Sequence, residues 1–302
     1  MKRTVAALAS FGLAGSALTG SVLADALEGK PSGAEILQNA GADAWRALDQ
    51  EDLLYIELDR GLVIIELSPS LARAHGAQMR ALAREGFYDG LSFYRVIEGF
   101  VAQGGDLLET REINAAAESL ADEFDEPMRD EMIFTPLKDT DGYAAAVGFV
   151  DSHPVGVDGA RERIWKLHCT GAVAMARGNE KDTGGTEFYV ALQPQRYLDR
   201  NLSVFGRVVQ GMEHLQALRR VAPALSEEDD LGETILTMRV GADLPEQEQV
   251  ALEVLRSDTD VFNAYVEARR NRPEAFFYYR PDHIDICQFP IPIREARAGE
   301  GE

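Results

Sequence analysis

The sequence from Phe93 to Asp106 reads FYRVIEGFVAQGGD and is the most informative stretch of the chain. It places one permanent cation, Arg95, among apolar neighbours in a strand-like segment. Because alternate residues of a strand share a face, Arg95 and Ile97 point the same way, toward solvent or toward a groove. Phe100 and Gln103 follow shortly before a Gly-Gly turn. Taken alone, the pattern favours an ordinary surface arginine on a barrel strand over a functional site.

Strand and helix signals continue on both sides of this stretch. Leu53–Leu58 and Leu62–Leu67 alternate in hydrophobicity around Asp59-Arg60-Gly61, which predicts a β-hairpin. Apolar residues at helical spacing then predict a helix from Ser70 to Glu85. Further strands are predicted at Leu91–Ile97, Gly171–Ala176, Glu187–Leu192, Ser203–Val209 and Thr234–Val240, and a further helix at Gly211–Arg220. Many short strands with few helices predict a mainly β fold, in which closure into a barrel hides the strand edges.

Five motifs in order along the chain give a more specific answer. They are REGFYDG (Arg84–Gly90), FYRVIEGFVAQGGD, GAVAMAR (Gly171–Arg177), DTGGTEFYVAL (Asp182–Leu192) and YLDRNLSVFGRVVQGM (Tyr197–Met212). In order and spacing they resemble the signature of the cyclophilins, the barrel-forming peptidyl-prolyl cis/trans isomerases. The resemblance implies a closed antiparallel β-barrel flanked by α-helices at residues 51–242, with an acidic insertion at about 107–168. A C-terminal α+β extension would occupy residues 243–302.

The activity that the resemblance implies suits these residues. Rotation about an Xaa-Pro bond crosses a barrier of about 18–20 kcal/mol because amide resonance must be broken. The reaction needs no nucleophile, metal ion or cofactor. It needs a groove for the proline ring and a hydrogen-bond donor that favours the twisted amide over the planar one. The expected partners are therefore proline-containing polypeptides.

The resemblance also assigns roles residue by residue. Arg95 matches the family's catalytic arginine, which would donate toward the imide nitrogen as its lone pair localises. Gln103 matches the glutamine that helps to position this arginine and the substrate. The substrate-binding positions that match the family are Phe100, Val101, Ala176, Arg177, Glu187, Tyr189, Tyr197, Leu198 and Leu202.

Four of these positions depart from the usual family residue. Glu187 stands where glutamine is frequent, which brings a charge into the groove that could pair with Arg95 or Arg177. Tyr197 replaces a tryptophan that many members use to bind cyclosporin, so weak or no cyclosporin binding is expected. Leu202 replaces a histidine and removes a polar wall, and Arg177 stands where many members have asparagine. An isomerase with altered activity and a cyclophilin-fold chaperone or peptide-binding scaffold with little turnover are both consistent with these departures.

The regions outside the motifs are less informative. Residues 25–50 have a mixed composition that indicates a loosely packed lead-in, and the acidic insertion has the weak periodicity of a solvated loop with some strand pieces. In the C-terminal extension, capping side chains at Ser257–Asp260 precede an apolar stripe, and Asn271-Arg272-Pro273 predicts the end of that helix. We expect this extension to pack back on the main domain, with a separate partner-binding module as the alternative.

Composition excludes several classes of function. The 302 residues carry 51 acidic and 30 basic side chains, a formal net charge of −21, which argues against a nucleic-acid binder and against docking on anionic lipid. The five histidines lack the paired spacing of a zinc site.

The N-terminus has the pattern of a cleavable signal peptide. Lys2 and Arg3 precede a short apolar stretch, and Val22 and Ala24 are small enough for the −3 and −1 positions of a cleavage site. This predicts a signal peptide at residues 1–24 with cleavage after Ala24, an uncleaved anchor being the alternative. The expected location is periplasmic or secreted, with no integral membrane segment after cleavage. Cys169 and Cys287 could form a disulfide in such a compartment, although the sequence alone leaves their pairing open.

Overall fold

The computed structural model describes residues 29–222 and 230–296, so the predicted signal peptide lies outside the described residues. The strands in chain order are β1 (Trp45–Ala47), β2 (Leu53–Leu58), β3 (Gly61–Leu67), β4 (Ser92–Val96), β5 (Val101–Gly105), β6 (Glu126–Pro127), β7 (Thr135–Pro136), β8 (Ala146–Val150), β9 (His153–Val157), β10 (Arg163–Lys166), β11 (Ala172–Met175), β12 (Phe188–Ala191), β13 (Val204–Gln210), β14 (Glu233–Val240), β15 (Leu252–Leu255) and β16 (Ile293–Glu295). The α-helices are α1 (Gly33–Gln38), α2 (Arg73–Arg84), α3 (Met212–Gln216) and α4 (Asp260–Asn271).

Eight strands form a closed antiparallel barrel in the order β11-β12-β5-β4-β14-β2-β3-β13, so the mainly β barrel expected from the sequence is confirmed. Side chains that alternate along each strand fill its interior, including Ile56, Ile65, Phe93 and Phe188. Helix α2 contributes Met79 to the same core. Each strand edge is paired, which removes the edges that an open sheet would expose.

The local signals in the barrel have clear physical causes. The predicted hairpin forms with Ile56 opposite Val63, and its turn includes Gly61 at a φ of +137°, which a residue with a side chain rarely adopts. The helix predicted for Ser70–Glu85 is α2, which begins three residues later because Ala72 is in the left-handed region at a φ of +51°. The helix predicted for Gly211–Arg220 is shorter and spans Met212–Gln216 only.

The acidic insertion contains the strand pieces that its sequence predicts, but from residue 126 onward they are organised into a sheet rather than lying in a solvated loop. Five strands form a separate sheet in the order β6-β10-β9-β8-β7. Phe149, Val155 and Trp165 are buried in this sheet. Apolar residues are separated here by charged turns, which is why the periodicity of the whole segment is weak although its strands are apolar.

The N-terminal lead-in is also packed over its described residues 29–50, which corrects the loose structure that the sequence predicts there. Helix α1 begins with a capping box in which the Ser32 side chain accepts from the Glu35 N–H and the Glu35 carboxylate accepts from the Ser32 N–H. Strand β1 pairs with β15 of the C-terminal extension, which also pairs with β16. Neither half of this sheet could be predicted without the other half, because its strands lie at opposite ends of the chain.

The lead-in, the insertion and the C-terminal extension together make one body beside the barrel, which we call the flanking module (residues 29–50, 107–170 and 243–296). Its core draws Trp45, Phe149 and Phe262 from these three segments. Helix α4 is capped by Thr259, whose hydroxyl accepts from the Phe262 N–H at 3.1 Å. Cys169 and Cys287 form a disulfide with Cα atoms 4.8 Å apart, which fixes the insertion to the extension.

The flanking module and the barrel share a continuous interface. Leu48, Leu252 and Val254 of the module pack against Leu53 and Ile64 of the barrel. The C-terminal extension therefore packs back on the main domain. Among the described residues, no helix has the length and the apolar character needed to span a bilayer.

Candidate active site

Arg95 and Gln103 lie opposite each other on the neighbouring strands β4 and β5. Arg95 Nη1 donates to Gln103 Oε1 at 3.1 Å, and the guanidinium carbon lies 5.3 Å from the centre of the Phe100 ring. Both polar side chains are partly exposed. Within the described part of the chain, Gln103 is the only group hydrogen-bonded to the guanidinium, so further donors of Arg95 are available to a bound molecule.

An apolar cluster on the outer face of the barrel adjoins this pair. Strand alternation turns Val101 and Tyr189 outward, while their neighbours Ala102 and Phe188 point into the barrel core. Five of the sequence-predicted site residues meet in the apolar cluster, which consists of Phe100, Val101, Ala172, Ala174, Ala176, Tyr189, Ala191, Leu202 and Val204. The site thus joins an apolar surface to one cation with unused donors.

Glu187 contacts Tyr94 and neither of the arginines proposed from the sequence. Tyr94 Oη donates to Glu187 Oε2 in a short hydrogen bond, and Gln103 Nε2 donates to Tyr94 Oη at 2.5 Å. Because Gln103 Oε1 accepts from Arg95, four side chains form one hydrogen-bonded chain from Glu187 to the guanidinium. Glu187 also approaches the backbone at Gly105, where a Cβ would collide with the carboxylate. Gly105 is the last residue of β5 rather than part of a turn, and its φ of +141° favours glycine there.

Burial controls the electrostatics of this chain. Burial raises the pKa of Glu187 to about 7, although the hydrogen bond from Tyr94 acts in the opposite direction. Burial and the nearby Glu187 carboxylate also raise the pKa of Tyr94, which remains a protonated donor. Glu187 thus changes charge near neutral pH at the end of a chain that holds Gln103.

A second hydrogen-bonded chain supports Tyr189 from behind. Tyr189 Oη lies 2.9 Å from His168 Nε2, and His168 Nδ1 lies 3.0 Å from Asp199 Oδ1. With Nδ1 donating to the Asp199 carboxylate, Nε2 is the acceptor for the tyrosine hydroxyl. Arg196 joins Asp199 to Asp141 of the insertion through bonds of 2.6 and 2.8 Å. The flanking module therefore helps to fix a wall of the apolar cluster.

Arg177 lies at the edge of the site and is occupied by main-chain partners. Its Nε and Nη2 both donate to the Asn201 carbonyl, at 3.0 and 2.9 Å, and Nη1 donates to the carbonyl of Gly178 at 2.8 Å. The guanidinium lies 5.2 Å from the centre of the Phe124 ring of the insertion. These contacts brace the loop at Asn201 and explain why Arg177 does not pair with Glu187.

Of the remaining predicted positions, Tyr197 and Leu198 lie outside the apolar cluster. Ala176 lies in the cluster, but one of its backbone groups is already paired. Tyr197 and Leu198 belong to a short 3₁₀ helix at Arg196–Leu198, outside the apolar cluster, and Tyr197 is 59% exposed. Ala176 is in the cluster, and its N–H already donates to the Glu187 carbonyl at 2.8 Å. Pairing of a peptide with Ala176 would therefore have to use its carbonyl.

The sequence reasoning missed Tyr94, His168 and Asp199. Tyr94 immediately precedes Arg95, so its position was a usable signal, but strand alternation suggested that it faced away from Arg95. His168 and Asp199 are 31 residues apart in sequence and carry no recognisable spacing. Only the closure of the barrel brings them behind Tyr189.

The comparisons with known proteins agree with this geometry. Residues 53–240 match the family model described as cyclophilin type peptidyl-prolyl cis-trans isomerase/CLD. The chain is 28% identical over 178 residues to a probable peptidyl-prolyl cis-trans isomerase of Brucella suis biovar 1, covering 59% of this chain and 76% of that protein. It is 32% identical over 155 residues to peptidyl-prolyl cis-trans isomerase B of Bacillus subtilis, covering 51% and 81%. The chain belongs to the cyclophilin-type peptidyl-prolyl cis-trans isomerase family.

A solved structure extends the likeness beyond the barrel. The crystal structure of cyclophilin AquaCyp293 from Hirschia baltica is 28% identical, covers 84% of this chain and 94% of its own, and has a TM-score of 0.67. The residues covered exceed the 53–240 range of the family model. The fold shared with that protein therefore includes parts of the flanking module.

Proposed function

We propose that this protein catalyses rotation about Xaa-Pro bonds at the face formed by Arg95 and the apolar cluster, and that it assists the folding of periplasmic or secreted proteins. The observation that carries the assignment of the site is the Arg95 guanidinium, held by Gln103 at 3.1 Å beside the Phe100 ring. Proline-containing polypeptides are the substrates expected of the family to which the chain belongs.

The chemistry follows from the change in the amide during rotation. In the planar amide the nitrogen lone pair is shared with the carbonyl, so the nitrogen is a poor acceptor. In the twisted amide the lone pair is localised on nitrogen, and a donor from Arg95 stabilises this form more than the ground state. Gln103 holds the guanidinium before substrate arrives, which limits the reorganisation required in the transition state.

The apolar cluster has the character needed for a proline ring. Val101 and Tyr189 are buried and provide a fixed floor, while Phe100 and Leu202 are partly exposed. Burial of the proline ring against these side chains supplies binding energy of about 25 cal/mol per Å² of apolar area. The ring is then held while the segment on the other side of the amide rotates.

Two features support a periplasmic or secreted location. The pattern of residues 1–24 is that of a cleavable signal peptide. The Cys169–Cys287 disulfide is of a kind that persists in oxidising compartments and is rare where thiols are kept reduced. Detection of a mature N-terminus at Asp25 in a periplasmic or secreted fraction would support this location, and a full-length protein retained in the cytosol would refute it.

The test of the catalytic proposal is exchange spectroscopy on a panel of Xaa-Pro tetrapeptides with wild-type protein and the Arg95→Ala variant. We expect the wild type to accelerate exchange and the variant to lose about 100-fold or more in kcat/KM, the scale of removing one transition-state donor. Exchange spectroscopy observes both directions of rotation without a coupling protease.

Arg60→Ala provides the matched control. Arg60 lies at the β2–β3 turn and pairs with Glu233, so its loss removes an exposed arginine of the same barrel without touching the site. We expect its activity to stay within twofold of wild type. Wild-type protein that binds proline peptides without accelerating exchange would instead identify a chaperone or scaffold.

Cyclosporin provides an independent measurement of the site. Tyr197 is exposed and stands outside the apolar cluster. We expect weak or no inhibition, and an inhibition constant in the low micromolar range or below would contradict this expectation.

A further inference from the structure

A cavity of about 330 Å³ lies between the barrel and the flanking module and adjoins the apolar cluster, with which it shares Ala172 and Val204. This volume is at the lower end of the range for small-molecule sites. Its apolar lining comes from both bodies and includes Val204, Val208, Leu167, Ile286, Phe289 and Ile291. The Cys169–Cys287 disulfide forms part of the same wall. The cavity is thus built from three distant parts of the chain.

Three basic side chains line the cavity beside this apolar wall, namely His153, Lys166 and Arg207. All three are buried, with exposed fractions of 1%, 6% and 8%. Basic groups at this depth require a compensating negative charge or a full set of hydrogen bonds. The hydrogen-bond partners of each basic group therefore show which of them has no compensating negative charge.

Glu66 is the nearest carboxylate, and two arginines already occupy it. Arg207 donates to Glu66 Oε2 from Nε at 2.9 Å and from Nη2 at 2.7 Å, and Arg46 donates to Oε1 at 2.8 Å. Burial by itself would raise the pKa of Glu66, but the charges of Arg207 and Arg46 hold it well below its usual range. Glu66 is therefore ionised, and its one negative charge is matched against two permanent cations.

Lys166 has no such partner. Its Nζ lies 2.9 Å from His153 Nδ1, and this is its only hydrogen bond within residues 29–222 and 230–296. Burial and the neighbouring charges of Lys166 and Arg207 lower the pKa of His153, so the ring is neutral and Nδ1 is an acceptor. Two of the three protons of an ammonium group at Lys166 are left without an acceptor, which is expensive for a buried cation.

We propose that this cavity binds a small organic monoanion with an apolar body, whose charged head accepts hydrogen bonds from Lys166. Arg46 and Arg207 share the single negative charge of Glu66. Lys166 has no carboxylate partner within hydrogen-bond distance in the part of the chain that the structure describes. The cavity therefore favours a ligand with a negatively charged head. The apolar side chains from β13 and the C-terminal extension select a hydrocarbon body rather than a second charged group. A carboxylic acid of about ten non-hydrogen atoms suits both requirements and the cavity volume.

Binding of such an anion is coupled to proton uptake. In the empty cavity, burial and the positive charge of Arg207 lower the pKa of Lys166 to about 7, while Glu66, Asp151 and Glu126 act in the opposite direction. The ligand head adds a negative charge, which raises this pKa and favours the ammonium form. At pH 7.5 the complex therefore binds a proton that the free protein lacks.

The test uses octanoate as the probe and the purified full-length protein labelled with [ε-¹³C]lysine. The sequence holds lysine only at positions 2, 30, 138, 166 and 181, so the Lys166 signal can be assigned without extensive labelling. We expect saturable binding below 1 mM and an increase of at least one unit in the pKa of the Lys166 signal. Calorimetry in phosphate and in Tris should give enthalpies that differ by the uptake of a proton.

Two comparisons separate the head from the tail. Octan-1-ol has the same hydrocarbon tail without the charge, and acetate has the charge without the tail; both should bind at least tenfold more weakly than octanoate. Equal binding of octan-1-ol would show a merely apolar cavity and overturn the proposal. No binding of octanoate at 10 mM, or binding that leaves the Lys166 signal unchanged, would overturn it as well.

Lys166→Met keeps the length of the side chain and removes the charge. We expect the octanoate Kd to rise at least tenfold while isomerase activity stays within twofold of wild type, because Lys166 makes no contact with the Arg95 site. An unchanged Kd would contradict the assignment. Should this variant not fold, the Lys166 signal of the wild-type protein still decides the question.

Discussion

The barrel and the flanking module each bury an apolar core, but they draw the residues of that core from different numbers of chain segments. The barrel takes its strands from two stretches, 53–105 and 172–240, and three of its eight strand pairings join strands that are consecutive in sequence. The flanking module takes its core from three stretches, and in its small sheet Trp45 pairs with Leu255. Local pattern therefore specifies the hairpins of the barrel, whereas barrel closure and the β1–β15–β16 sheet of the module depend on segments that are distant in sequence.

The two cores also differ in their tolerance of charge. The main barrel core is made of apolar side chains, which strand alternation directs inward. In the module Arg270 is 1% exposed and pairs with Asp139 and Glu267. A buried arginine needs such partners to offset its desolvation. The module is thus held together by specific ion pairs and a disulfide as well as by apolar contacts.

The largest expected effect comes from truncating one buried phenylalanine in each region, which tests whether the two regions unfold together. Phe188→Ala in the barrel and Phe262→Ala in the module each remove a fully buried ring that packs edge-to-face on two aromatic neighbours. Each should lower the free energy of unfolding by about 3–5 kcal/mol. Because the shared interface couples the regions, both variants should unfold in one transition, measured by circular dichroism and by loss of isomerase activity.

Ile133→Ala in the module and Leu236→Ala in the barrel are the matched controls. Both side chains are exposed, so each substitution should change the free energy of unfolding by less than about 0.5 kcal/mol. Two separate transitions in Phe262→Ala, with the barrel transition unchanged, would show that the module unfolds independently.

The disulfide gives the next largest effect, and the loop that it closes contains barrel strands β11 to β14 as well as part of the module. The bond closes a loop of 118 residues between Cys169 and Cys287. The double variant Cys169→Ser, Cys287→Ser should lose about 2–5 kcal/mol, because the unfolded chain gains the freedom that the cross-link removes. Denaturant titration with and without dithiothreitol measures this: reductant should lower the midpoint of wild type to that of the variant. A midpoint unaffected by reductant would refute the contribution.

The smallest expected effect concerns the charge in the active site. Burial raises the pKa of Glu187 to about 7, so the folded protein retains a proton that the unfolded chain releases above about pH 4.5. Stability from this residue is therefore present at low pH and is lost as pH rises toward 7. Glu187→Gln, which cannot ionise, should match wild type near pH 4 and be more stable by up to about 3 kcal/mol above pH 7.

Thermal unfolding from pH 4 to 8 measures the difference between these two proteins. A difference that is constant with pH would mean that Glu187 does not titrate in this range. The same series should show a change in wild-type isomerase activity near pH 7 that is absent from Glu187→Gln, since Glu187 is linked to Gln103 through Tyr94.

The sequence predicted most of the barrel and little of the module, for a physical reason. The hairpin of β2 and β3 is predictable from the sequence because both strands and their turn lie within fifteen residues. Strands β1 and β15 are short, and each alone is too weak a pattern to predict a sheet. The sequence of the lead-in accordingly predicts loose packing, although Ala44 and Trp45 are buried against the extension.

The sequence predicted which residues form the candidate site, but not which of them contact each other. The resemblance to the family identified Arg95, Phe100 and Gln103, which the structure brings together. It could not show that Glu187 accepts from Tyr94, because that contact depends on the packing of β4 against β12 across β5. Departures from a family pattern are thus interpreted reliably only with the neighbouring side chains in view.

The pairing of β1 with β15 sets an order of events during synthesis. Chains emerge from the N-terminus and can form structure as soon as all partners are available. The barrel strands are complete once Val240 has emerged, but β1 must wait for Leu252–Leu255, and the disulfide must wait for Cys287. During most of synthesis β1 therefore has no strand to pair with. The flanking module can be completed only after β15 and Cys287 have emerged.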